Sequence, residues 1–193
     1  MLTLASASPT RAAMLRGAGI AFEARPARVD EAAVKDALVA EGHGPRDVAD
    51  ALAELKALRV RAPGLVLGCD QVLDHDGAVL SKPATRAEAE ARLRALAGRS
   101  HRLHVAAVLA EEGRPVWRHV ASVTLAMRPL SDAFVADYVA RHWEAIRGTP
   151  GAYLIEGEGA RLFARIDGDH EAALGLPLKP LVDVLIARGA LAS

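Results

Sequence analysis

Ser6-Ala7-Ser8-Pro9-Thr10-Arg11 sets small hydroxyl residues and a guanidinium where the apolar stretch Leu2 to Ala5 ends. Ser8 suits the N-cap of a helix and Pro9 its first turn. The unpaired backbone N–H groups of such a terminus favour an anion, and Arg11 adds a planar donor fork for phosphate. The same residues also describe an ordinary capped helix with a surface arginine. Asp70 closes a second apolar stretch, Leu65 to Leu67 followed by Gly68-Cys69-Asp70, at the kind of strand end where α/β proteins place ligand-binding groups. The turn signal Asp74-His75-Asp76-Gly77 lies about midway between Asp70 and Lys82. Folding that hairpin sets a carboxylate near an ammonium across two strands. The pair is then either a base or metal ligand beside a phosphate-binding lysine, or a surface ion pair worth ~0–1 kcal/mol. Asp30-Glu31 offers hard oxygen ligands of the type magnesium prefers, or a solvated acidic loop. Lys56 flanks an apolar helical stripe, so it either snorkels to solvent or reaches into a site.

The elements that must carry these residues follow from periodicity and punctuation. Leu2 to Ala5 reads as a buried strand, followed by a helix from Ser8 that Gly17 and Gly19 close. Ile20 to Ala24 reads as a second strand, and the stretch around Asp30-Glu31 as polar chain. Val48, Leu52, Leu55, Leu58 and Ala62 have helical spacing and predict a helix over 47–61. Thr85 and Glu88 form a capping box for a helix that Gly98 stops. Strands are predicted over 101–110 and 116–127, joined by Glu112-Gly113-Arg114, then a helix from Ser131 to about His142. Residues 147–159 read as glycine-rich loop around a short strand, 162–166 as a strand, and Pro177 as the opening of a last helix reaching about Arg188. Strands and helices alternate first and strands pair in the middle, which predicts a mixed-sheet α/β protein, one domain over 1–193 or two lobes sharing a sheet.

Composition narrows the function classes. Lysine plus arginine number 24 against 24 acidic residues, a balance that disfavours a nucleic-acid binder. The chain is 51% hydrophobic and only 4% aromatic, so its core should be Leu, Val and Ala. The one cysteine, Cys69, points to a reducing, cytoplasmic setting, as a packed residue rather than a nucleophile. No secretory signal or membrane-length apolar run stands out. P-loop, dinucleotide-fold and nucleophile-elbow signatures do not occur, and the seven histidines make no zinc pattern. His101 and His104 are spaced to face opposite sides of a strand, which argues against joint ligation.

Taken in order, these segments resemble the Maf proteins. Leu4-Ala5-Ser6-Ala7-Ser8-Pro9-Thr10-Arg11 is similar to their opening LAS-x-SPRR. The match continues through Val29-Asp30-Glu31, Leu52-Ala53-x-x-Lys56-Ala57, Gly68-Cys69-Asp70-Gln71-Val72 and Lys82-Pro83. It runs on through Leu96-Ala97-Gly98-Arg99-x-His101, Gly151-Ala152-Tyr153 and Gly175-Leu176-Pro177-Leu178. The resemblance implies a nucleoside triphosphate pyrophosphatase that uses a divalent metal (Mg, Mn or Co), often as a homodimer, while the composition argues against a nucleic-acid or membrane partner. It implies an elongated mixed sheet flanked by helices, with a nucleotide cleft between two lobes. By position, Asp70 matches the catalytic acidic residue, described as proton acceptor, with Glu31 and Lys82 beside it and Glu31 and Asp70 as metal ligands. Ser8, Arg11 and Lys56 match further substrate-binding positions. Three positions bear on the base. The pyrimidine-preferring branch (dTTP and UTP) has SPRR, GADT and a Gln after GAY-x-I, where this chain has Thr10, Gln71 and Glu156. The branch associated with 7-methyl-GTP has Gln and Glu at the last two and Trp at the first. Two of three positions thus lean to 7-methyl-GTP, with a dTTP/UTP enzyme or a nucleotide-binding regulator of septum formation as the alternatives.

Overall fold

The computed structural model describes residues 1–192. The strands are β1 (Leu2–Leu4), β2 (Phe22–Ala24), β3 (Leu65–His75), β4 (Ala78–Leu80), β5 (Ser100–Glu111), β6 (Arg114–Met127) and β7 (Phe163–Asp167). They form one seven-stranded sheet in the order β2-β1-β3-β5-β6-β7, with β4 paired to β3. The helices are α1 (Pro9–Gly17), α2 (Glu31–Ala40), α3 (Pro45–Arg59), α4 (Arg86–Leu96), α5 (Asp132–Ile146), α6 (His170–Ala173) and α7 (Leu178–Ala187). Parallel pairing of β1 with β2 and β3, and antiparallel pairing of β3 with β4 and β6 with β7, make the sheet mixed. This is the α/β class read from the sequence. The chain divides into two compact units: Met1–Gln71 with His104–Ser122 and 169–192, and Val72–Leu103 with Val123–Gly168.

In the first unit β1 is flanked on both edges, Leu2 pairing with Phe22 on one side and Leu65 on the other. All three of its residues are buried, as expected of a parallel strand covered on both faces. Leu4, Leu15, Leu67, Leu109, Leu181 and Leu185 share one apolar core, the aliphatic packing that the composition predicts. The α1 cap is as expected, Ser8 Oγ accepting from Arg11 N at 3.3 Å. Helix α3 turns Val48, Ala49, Leu52, Ala53, Lys56 and Ala57 inward. It lies so close to β3 that a Cβ on Gly68 would sit 2.1 Å from the Ala53 carbonyl oxygen and 2.5 Å from Ala57 N.

Two sequence readings change in this unit. The stretch taken as polar chain is helix α2, capped by Asp30, whose Oδ1 accepts from Ala33 N at 3.1 Å. Its apolar residues, four of them alanine, are spread around the helix and none of them is buried, so no one-sided stripe marks it and only the cap announces it. Asp70 stands not at a strand end but inside β3, which runs on to His75. Gly68 reads as a stop yet serves as a contact point for α3.

In the second unit, β3 and β4 make the predicted hairpin, with Leu73 opposite Leu80 and His75 opposite Ala78. Asp76 and Gly77 carry φ of 53° and 83°, the positive pair a two-residue hairpin turn requires. The pairing ends at Leu73–Leu80, so it does not itself register Lys82 against Asp70. Thr85 caps α4 through Glu88 N at 3.1 Å, and Glu88 returns a bond to Ala84 N at 2.9 Å. Helix α5 extends past His142 to Ile146. Residues 147–159 hold no strand, and a 3-10 helix (Gly157–Leu162) leads into β7.

Candidate active site

Lys56 lies on the inward stripe of α3, four residues after Leu52, so its stem packs with the core while its head meets β3. Its side chain is 7% exposed. Its Nζ donates to Asp70 Oδ1 at 2.6 Å and pairs with Glu31 Oε1 at 2.6 Å. Asp70, 8% exposed, comes from β3; Glu31, 36% exposed, opens α2. Three elements thus deliver two carboxylates to one ammonium. Of the two outcomes open for Lys56, the structure shows the lysine reaching inward. Burying charge is tolerable only because it is paired. Lys56 meets one oxygen of each carboxylate, and carboxylate oxygens are the hard donors a divalent cation takes.

A second group adjoins it through the backbone. Arg11 is buried, not surface-exposed. Its Nε donates to the Gly175 carbonyl at 2.8 Å, and its Nη1 donates to Ser6 Oγ and to the Cys69 carbonyl, each at 3.1 Å. Ser6 Oγ also accepts from Ser8 N at 3.2 Å. Arg11 therefore ties the residue preceding Asp70 to the end of β1 and to the turn after α6. The fork expected for phosphate is largely committed to the protein. Ser8 Oγ serves the helix cap. Thr10 is exposed in the first turn of α1. Gln71 donates through Nε2 to the Ala173 carbonyl at 3.3 Å, so α6, unforeseen from the sequence, borders this group. Ser6 and Gly175 lie in the resembling motifs, but only the fold shows that they hold Arg11.

Lys82 and Glu156 belong to the second unit and both are exposed. Lys82 follows β4, and Glu156 immediately precedes the 3-10 helix. The glutamate's segment is anchored: the Tyr153 hydroxyl and His101 Nε2 are 2.6 Å apart, and Leu154 N donates to the Tyr138 hydroxyl at 3.2 Å. His104, on the opposite side of β5, pairs through Nδ1 with Ser122 Oγ at 2.8 Å. Cys69 is buried, and that burial raises its thiol to about 11, so it is no thiolate nucleophile near neutral pH.

No group of three or more His, Cys, Asp or Glu among the described residues is arranged to hold a metal. Two converging carboxylates nevertheless fit a hard divalent ion of the magnesium type, which takes one or two protein carboxylates and completes its shell with substrate phosphates and water.

Comparison with known proteins identifies the family. The chain is 53% identical over 191 residues to a nucleoside triphosphate pyrophosphatase of Roseobacter denitrificans, covering 97% of this chain and 96% of that protein. It is 50% identical over 192 residues to a protein of the same name from Caulobacter vibrioides, covering 98% and 96%. It is 46% identical over 194 residues to a 7-methyl-GTP pyrophosphatase of Rhizobium meliloti, covering 99% and 98%. The family described as Maf-like protein matches residues 1–188, and the chain belongs to the Maf family.

Proposed function

We propose that this Maf-family enzyme hydrolyses nucleoside triphosphates to the monophosphate and pyrophosphate, with 7-methyl-GTP as its favoured base class. The observation that carries the chemistry is the convergence of Asp70 and Glu31 on buried Lys56. Water adds to the α-phosphorus, the bond to the α–β bridging oxygen breaks, and pyrophosphate leaves. Asp70 accepts the proton of the attacking water, and Lys56 fixes the carboxylate that does so. A divalent cation held by Glu31 and Asp70 would neutralise phosphate charge. Arg11 keeps β3 in register beside Asp70 through the Cys69 carbonyl. We assign Lys82 to the phosphates and Gln71, Thr10 and Glu156 to the base.

The base assignment rests on Glu156 and Gln71. A carboxylate accepts from a guanine N1–H and amino group and complements the positive methylated ring. The Rhizobium meliloti relative carries 7-methyl-GTP in its name. No described helix is long and apolar enough to cross a membrane, and we place the enzyme in the cytoplasm, where its substrates are made.

The test is pyrophosphate release from a panel of nucleotides, with and without chelator. EDTA abolishes turnover and magnesium, manganese or cobalt restores it; full activity in chelated protein refutes the metal assignment. Catalytic efficiency is higher for 7-methyl-GTP than for dTTP or UTP, and Glu156→Gln erodes that preference. A wild-type preference for dTTP overturns the base assignment and leaves the hydrolase intact.

A further inference from the structure

Arg92 lies on α4 beside the buried Ala89, Leu93 and Leu96. Its Nη1 donates to two backbone carbonyls, Ser81 at 3.0 Å and Pro150 at 2.5 Å. Ser81 immediately precedes Lys82, and Pro150 immediately precedes Gly151-Ala152-Tyr153, the segment leading to Glu156. One guanidinium nitrogen thus joins two loops that share no sequence neighbourhood, each carrying a residue assigned above to substrate.

The second loop is stiff from that anchor onward. Thr149 Oγ1 donates to the Ile146 carbonyl at 2.8 Å and accepts from Tyr153 N at 3.2 Å. A Cβ on Gly151 would fall 2.1 Å from the Tyr153 ring, and Ala152 holds a φ of 57°. With the Tyr153–His101 and Leu154–Tyr138 bonds beyond it, the stretch from Pro150 to Leu154 is held at both ends, and Arg92 supplies the hold at Pro150. Burial lowers the Arg92 pKa from its ordinary value, yet an arginine stays charged in proteins, so both carbonyls receive charge-assisted bonds.

We propose that Arg92 is a positioning residue for base selection, holding the Lys82 segment and the Pro150–Leu154 segment at one spacing. The proposal rests on the reading that Lys82 grips phosphate and Glu156 reads the base. A nucleotide bound in one reactive pose presents these two ends at one separation. The base contact contributes to catalytic efficiency only where the protein is already set to that separation. Arginine suits the task because its planar nitrogen aims two N–H groups in fixed directions, whereas a lysine head rotates and is strongly hydrated.

The test uses Arg92→Met and Arg92→Lys, with Arg94→Met as control, since Arg94 on the same helix pairs with Glu90 and Asp132. Melting curves establish that each variant is folded, and Arg92→Lys carries the test if the methionine variant is not. Amide exchange without nucleotide is followed at Lys82, Ala84 and 151–154, alongside the efficiency ratio of 7-methyl-GTP to UTP. Arg92→Met speeds exchange in both segments and lowers the ratio about tenfold, the scale of one charged hydrogen bond; Arg92→Lys lies between, and Arg94→Met changes neither. In a Glu156→Gln background, Arg92→Met no longer moves the ratio. Unchanged exchange in either segment, or an unchanged ratio in folded Arg92→Met, overturns the proposal. Failure of the underlying reading looks different. A wild-type enzyme indifferent to base, with both segments still loosened by Arg92→Met, removes the role of Glu156 and the selectivity role of Arg92, leaving a structural clamp.

Discussion

An ammonium held at 2.6 Å by two carboxylates makes each of the three residues depend on the others, and the substitutions differ in kind. Asp70→Asn removes the proposed proton acceptor but leaves Lys56 paired with Glu31. It therefore lowers turnover by about 10²–10⁴-fold, lowers nucleotide affinity far less, and lowers the melting temperature modestly. Lys56→Met removes the buried cation with which both carboxylates pair. Breaking a buried pair in this way destabilises by about 3–5 kcal/mol, so that variant melts well below Asp70→Asn. Near wild-type turnover in a folded Asp70→Asn protein reduces Asp70 to a structural partner and moves the base to Glu31. At this scale the sequence identified the members of the cluster but not its pairing. The hairpin around Asp74–Gly77 suggests Lys82 beside Asp70, but nothing local to Asp70 announces that Lys56, fourteen positions earlier, bonds it directly. A helix folding back on a strand is a tertiary event that local turn chemistry does not encode.

Elements place these groups through a few close approaches, and Gly68 is the most demanding. With the Ala53 carbonyl 2.1 Å and Ala57 N 2.5 Å from where its Cβ would stand, Gly68→Ala must push α3 off β3. The backbone atoms it meets cannot rotate away as a flexible side chain could. Overpacking of this type destabilises by about 1–3 kcal/mol, and here it also lengthens the Lys56–Asp70 contact. Gly68→Ala therefore loses activity beyond what its melting temperature explains. A variant destabilised but fully active at a temperature where it is folded refutes that coupling. The regular elements were legible wherever a cap coincided with periodicity: Ser8, Thr85 and Ser131 mark α1, α4 and α5 in sequence and structure alike. Helix α2 was missed because Asp30 was weighed as a metal ligand, although it is the N-cap. Helix α6, with four residues, is too short to show a period.

Across the whole molecule, charge balance and core composition were the most legible properties, and they set up a pH dependence the sequence did not show. Net charge is zero near neutrality, so mild acid acts first through individual groups instead of general repulsion. His101 is the strongest of these. Its ring is buried, its Nε2 meets the Tyr153 hydroxyl, and its Nδ1 has no hydrogen-bond partner. Burial first, and the neighbouring His75 second, lower its pKa from 6.5 to about 4. Between those values the unfolded chain binds the proton and the folded chain does not, so stability falls as pH falls across that window and changes no further below it. The full shift corresponds to about 3 kcal/mol. Glu158 acts in a lower window: its bonds to Arg141 and His142 hold it down from 4.5 to about 2, so its contribution is lost only as pH falls from 4.5 toward 2. The two are therefore separable. Urea unfolding followed from neutral pH down to about 4.5 reports mainly His101, and His101→Phe, which keeps a ring but cannot titrate, flattens the curve there while leaving the lower window intact. If the wild-type and His101→Phe proteins lose stability in parallel above about pH 4.5, another group carries the proton linkage and the buried imidazole is not the acid-sensitive point of this fold.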